Sequence, residues 1–164
     1  MKREHFDARP AEDSESGFTL IELMMVVLII AILIAVMLPT FLGASRRAND
    51  RATQTSLRNA LVAAKTVFSD NADYTRATPA ALNAEGVPVK FVDGATPPTG
   101  QNSVSVDPAA TTYILMGGQS KSGTCFYLAD DALTGTVYAT QGGAGGCAAN
   151  GAPVAGDPAW KTQW

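Results

Sequence analysis

From Phe18 to Leu38 the chain runs 21 residues in which only Thr19 and Glu22 are markedly polar. At about 1.5 Å per helical residue this run spans roughly 30 Å, the thickness of a bilayer's hydrocarbon core. Beyond it the apolar density falls. Ala44, Ala48, Leu57, Leu61, Ala64 and Phe68 nevertheless recur mostly at spacings of three, four and seven, which keep side chains on one helical face. The pattern predicts one helix over residues 18–70, membrane-spanning over 18–38 and amphipathic after that. Pro39 lacks a backbone donor and Gly43 is a weak helix former, so any kink or local melting is expected at these two positions.

Residues 71–100 are rich in Ala, Pro, Thr and Gly and read as a long connection, with a short strand candidate at Val87 to Val92. Better strands follow at Ser103 to Val106, Thr111 to Met116, Thr124 to Ala129 and Thr136 to Thr140. Gly117 to Gly123 and Asp130 to Gly135 are short enough to be hairpin turns, so the last three strands should form an antiparallel meander. The fold class expected is α+β: a long N-terminal helix packed on a small antiparallel sheet within a head at 71–164. The Gly- and Ala-rich stretch from Gln141 to Trp164 reads as a surface segment held by Cys147. Its Trp160 and Trp164 suit either packing onto the sheet or an exposed contact.

Residues 1–17 are polar and without period, and read as a leader preceding the apolar run. The formal charge is −3, and removing a leader that carries Lys2, Arg3 and Arg9 against Glu4, Asp7, Glu12, Asp13 and Glu15 would leave −1. A nearly neutral chain has no overall charge to attract nucleic acid or an acidic substrate, and no nucleic-acid site is expected. His5, the only histidine, lies in that leader, so the rest of the chain lacks the imidazole of serine-histidine or cysteine-histidine catalysis and of histidine metal sites. No catalytic residue, cofactor or metal is expected.

Cys125 and Cys147 lie far beyond the apolar segment with 21 residues between them, and in an exported domain they read as a disulfide rather than a metal site. Asp130 and Asp131 suit a hairpin turn or a calcium site. Arg46, Arg47, Arg51, Arg58 and Lys65 form either a solvated face that snorkels toward lipid headgroups or partners for acidic groups on neighbouring subunits.

Glu22 is the informative residue, because a carboxylate inside an apolar helix costs several kcal/mol, of order 3, when left charged at the bilayer centre. Cleavage after Gly17 would place an ammonium on Phe18, four residues earlier on the same helix face, where it can meet Glu22 of its own or a neighbouring chain. Gly17-Phe18-Thr19-Leu20-Ile21-Glu22-Leu23, the unbroken apolar run and Pro39 resemble the processing site and helix of type IV pilins and secretion pseudopilins. The resemblance implies a peptidase that cuts between Gly17 and Phe18 and methylates the Phe18 amine. It also gives Glu22 and Phe18 an assembly role, with Pro39 as helix interrupter. Phe41-Leu42-Gly43-Ala44, Arg46-Arg47-Ala48-Asn49-Asp50 and Leu57-Arg58-Asn59-Ala60 are similar to pilins of Gram-positive, particularly actinobacterial, type.

The leader departs from that family in its length and in its acidic end, Glu12-Asp13-Ser14-Glu15. Arg46, Arg47, Arg51 and Arg58 outweigh Lys2, Arg3 and Arg9, so counting positive charges favours an exported leader, whereas the resemblance implies a cytoplasmic one. A disulfide-bearing head argues for the second arrangement. The function expected is a structural filament subunit, held in the cytoplasmic membrane before assembly and at the cell surface after it. Its implied partners are copies of itself, the prepilin peptidase, an assembly platform with minor pilins, and the membrane. A pseudopilin or minor pilin is the alternative within that class, and a single-pass anchored binding protein the alternative outside it.

Overall fold

In a computed structural model, which describes residues 17–143 and 145–164, the chain forms helix α1 (Leu20–Asn71), a short 3-10 turn (Tyr74–Arg76), helix α2 (Pro79–Ala84) and five strands. The strands are β1 (Lys90–Asp93), β2 (Ser103–Asp107), β3 (Tyr113–Gln119), β4 (Thr124–Asp131) and β5 (Gly135–Gly142). Internal contacts divide the chain after Phe41.

The N-terminal part is the apolar stretch of α1. Every described residue from Gly17 to Phe41 is exposed, and the most apolar window reaches a mean hydropathy of 3.1. Among the described residues this is the one helix long and apolar enough to cross a membrane. Pro39 and Gly43 lie inside α1, so the backbone stays helical where an interruption was expected. Pro39 cannot supply the N–H for its turn, and beside it the Thr40 hydroxyl donates to the Met37 carbonyl at 2.8 Å.

From Leu42 onward the second part has its own core. The sheet order is β1-β2-β3-β4-β5, with β2 through β5 antiparallel and β1 parallel to β2. Alternation along the strands sends Val104, Val106, Ile114, Met116, Phe126 and Leu128 into one cluster with Leu57, Ala60, Ala64 and Val67 of α1. The opposite set, Cys125, Tyr127 and Ala139, packs with Cys147 and Trp160 from the C-terminal segment. The sheet is therefore covered on both faces, by helix and by tail.

Four features differ from the sequence expectation. First, the sheet is mixed, because β1 pairs parallel to β2 in register Lys90 to Ser103 through Asp93 to Val106. A four-residue strand carries no pattern that distinguishes the two directions. Second, the 71–100 stretch is not all loop: Thr78 caps α2 through Ala81 N at 3.3 Å, with Pro79 in the first turn and Leu82 fully buried. Third, Gly117 and Gly118 belong to β3 rather than to a turn. A Cβ on Gly118 would lie 2.9 Å from Thr53 Cγ2, and one on Gly117 would collide with the Cys147 carbonyl on the other face. Adjacent glycines thus let helix and tail approach the same strand from opposite sides. Fourth, the tail is not a surface segment throughout, since Cys147 and Ala149 are fully buried and Ala149 N donates to Ser105 Oγ at 3.0 Å.

Both sheet edges are occupied. The Asn83 carboxamide accepts from Phe91 N at 3.0 Å and donates to Phe91 O at 3.1 Å along β1. On β5, Tyr138 and Lys161 exchange two backbone hydrogen bonds of 2.8 Å. These contacts blunt the edges against pairing with a further strand.

Candidate processing and assembly site

Gly17, Phe18 and Thr19 precede the first helical residue, Leu20. No atom lies within 4 Å of a Cβ built on Gly17, and Phe18 is 81% exposed. The peptide bond between them therefore lies outside the helix and uncovered, where it is open to hydrolysis.

A helix start in lipid leaves backbone N–H groups that water cannot satisfy. Here Thr19 and Glu22 answer one another. The Thr19 backbone N–H and hydroxyl donate to Glu22 Oε2 at 3.2 and 3.1 Å, and Glu22 N donates to Thr19 Oγ1 at 3.3 Å. This is a reciprocal capping box. Its signal, a threonine followed three residues later by a glutamate, was present in the sequence and missed. In the uncleaved chain the Glu22 carboxylate is thus already oriented at the start of the apolar helix, beside the position where cleavage would create the Phe18 ammonium.

Asp130 and Asp131 part company. Asp131 takes the turn role, its Oδ1 accepting from Leu133 N at 2.8 Å. Asp130 lies within β4, outside that turn. It is 1% exposed beneath α1, where it accepts from the Tyr74 hydroxyl at 2.6 Å and from the Thr136 hydroxyl, and it pairs with Lys65 Nζ at 3.1 Å. Burial pushes its carboxyl up, but the bonds from Thr136, Tyr74 and Lys65 and the ammonium's charge outweigh this and hold it below the ordinary carboxylate range. Burial and the same carboxylate push the Tyr74 hydroxyl up. Sequence reasoning had no signal for this cluster, whose members are spread from residue 65 to residue 136.

At the other end of the sheet Asp50 Oδ1 accepts from Ser120 Oγ at 2.7 Å and from Ser122 Oγ, fixing the β3–β4 turn to α1. Cys125 and Cys147 form a disulfide, as the sequence predicts. Both tryptophans pack within the head. Trp160 Nε1 donates to Pro153 O at 3.1 Å. Trp164 lies edge-on to Phe126 at 5.8 Å, and the Arg58 guanidinium stands 5.3 Å from its ring centroid.

Residues 13–38 match the family model described as the prokaryotic N-terminal methylation motif, the signature of type IV pilin-like proteins. The matched segment contains Gly17, Phe18, the Thr19–Glu22 capping box and the whole apolar run. Neither a curated protein nor a solved structure matches the chain.

Proposed function

We propose that this chain, which carries the prokaryotic N-terminal methylation motif, is a structural subunit of a type IV pilus or pilus-like surface filament. One observation carries the reading: the motif is joined to a bilayer-length helix whose apolar surface nothing else in the described chain covers. Such a surface needs lipid first and other subunits afterwards.

The prepilin peptidase cuts between Gly17 and Phe18 and methylates the new amine. The leader lies on the cytoplasmic side, and the disulfide-bearing head lies outside, where an oxidising compartment maintains the bridge. An assembly platform with its minor pilins then lifts the chain from the membrane into a bundle of helices. The Phe18 ammonium meets Glu22 of its own or a neighbouring chain, which sets the axial offset that apolar contacts alone leave undetermined. Pro39 and Gly43 supply the place where α1 yields during extraction. The role is structural, with no chemistry performed by the chain.

Mass spectrometry of the mature N-terminus tests the processing half, with methylated Phe18 expected from the parent chain and accumulated precursor from Gly17→Leu. Electron microscopy of sheared surface filaments with peptide identification tests the assembly half. An intact leader on membrane-held chain refutes the cut, and correctly cut chain that never enters surface filaments favours a pseudopilin.

A further inference from the structure

The head is electrically polar along its length. Its two ends are defined by contacts already described: Asp50 holds the Ser120–Ser122 turn, and Lys65 meets Asp130 at the far end of β4. Six residue steps of β3, from Tyr113 to Gln119, separate these ends by about 20 Å, and fifteen helical steps from Asp50 to Lys65 give about 22 Å. Arg46, Arg47 and Arg51 are exposed beside the first end. Asp50, the carboxylate on the same stretch of α1, is taken up by Ser120 and Ser122. Among the described residues the only ion pair within 4.0 Å is Lys65 with Asp130, so these arginines have no carboxylate partner.

The second end carries the opposite charge. A groove of about 520 Å³ is lined there by Tyr113, Asp131, Thr134, Val137, Asp157 and Trp160. Asp131 and Asp157 each commit Oδ1 to a local backbone N–H, at 2.8 and 2.7 Å, which leaves each a second oxygen for a ligand. Asp107 adds to the field: burial first, then Asp131 and Asp107, push the Tyr113 hydroxyl up. The cations at this end lie beside other carboxylates. Lys65 pairs with Asp130, and Arg76 lies near Asp73, whose carboxyl is held low by two bonds from Thr75 and by the Arg76 charge. Two carboxylates between a tyrosine and a tryptophan suit a guanidinium, which donates paired hydrogen bonds to planar carboxylates and lies against aromatic faces.

We infer that the Asp131–Asp157 groove of one subunit receives the Arg47–Arg51 stripe of a second copy. Arg47 and Arg51 stand one turn apart on one helix face, about 6 Å along the axis, so two guanidinium groups reach the groove together. The patches cannot meet within one head, because they lie at opposite ends. A contact between unlike ends of identical subunits is heterologous, and it propagates into an open filament instead of closing a dimer. This contact rests on the filament reading and names the electrostatic part of its interface.

Full-length variants in filament-producing cells test it. Asp131→Asn with Asp157→Asn keeps the side-chain oxygens that the local turns need and removes only charge. Arg47→Glu with Arg51→Glu reverses the stripe, and Asp131→Lys with Asp157→Lys reverses the groove. Each pair is expected to cut filament number about tenfold or more, the Asn pair by removing the attraction and the two reversals by bringing like charges together. Cleavage at Gly17, membrane level and the Cys125–Cys147 bridge should match the parent. Combining the two reversals should restore filaments. Normal filament numbers in the Asn pair or the Glu pair overturn the contact, and so does failure of the combined reversal when each head is folded and oxidised. Loss of membrane-held chain from the Glu pair, with filaments in proportion to what remains, assigns the arginines to lipid headgroups instead. A parent chain that is cut at Gly17 yet absent from filaments removes the filament reading and this contact with it.

Discussion

Replacing Asp130 by Ala removes a buried carboxylate on which three side chains converge. The Tyr74 hydroxyl, itself 1% exposed, loses its acceptor at 2.6 Å, and Thr136 loses its own. Hydrogen bonds to a charged group contribute about 1.5–3 kcal/mol each, and a buried donor left unpaired carries the same order of cost. The Lys65 side chain is 53% exposed, so solvent screening limits its ion pair to under about 1 kcal/mol. Together these put Asp130→Ala at about 3–5 kcal/mol of lost head stability. The folded-state pKa of Asp130 lies below its unfolded value, so its contribution is present above the unfolded value and is lost as pH falls through the folded one. The gap between parent and Asp130→Ala should accordingly be full near about pH 6 and narrow below about pH 4. Urea unfolding of the detergent-solubilised, oxidised chain, followed through Trp160 and Trp164, measures it. Tyr74→Phe in both backgrounds gives the coupling, with the double variant expected to lose less than the two single losses combined. A loss below about 1 kcal/mol near neutral pH, or a gap that does not change on acidification, would refute the reasoning.

Three further outcomes are expected. Glu22→Ala should insert and be cut at Gly17 normally yet yield few surface filaments, and filaments of normal number and length would remove Glu22 from assembly. Gly117→Ala, whose methyl group would meet the Cys147 carbonyl, should destabilise the head by about 1–3 kcal/mol, whereas Gly142→Ala, with open space around it, should lose only a few tenths of that, as urea midpoints can compare. Cys147→Ser should lower head stability by about 3 kcal/mol through the freed 22-residue separation and should loosen the tail, read as faster proteolysis near Gly145 than in the parent.

The sequence by itself determined what depends on local pattern: an uninterrupted apolar run long enough for a bilayer, strands at all five positions from β-branched and aromatic runs, and a methylation motif whose residues are consecutive. It also held the Thr19–Glu22 capping box, a spacing of three that needs nothing beyond one helical turn. Tertiary structure decided the rest, because the deciding partners are distant in sequence. Asp130 becomes a buried anchor only when Lys65, Tyr74 and Thr136 converge on it. Gly117 and Gly118 read as turn residues until α1 and the tail close on the two faces of β3. The direction of β1 follows from its pairing with β2 and from Asn83 on its free edge, not from its own four residues. The separation of charge along the head exists only once the fold places Arg47 at one end of the sheet and Asp131 at the other. A charge on a chain has a position, but it acquires a partner only from the surface that folding builds around it.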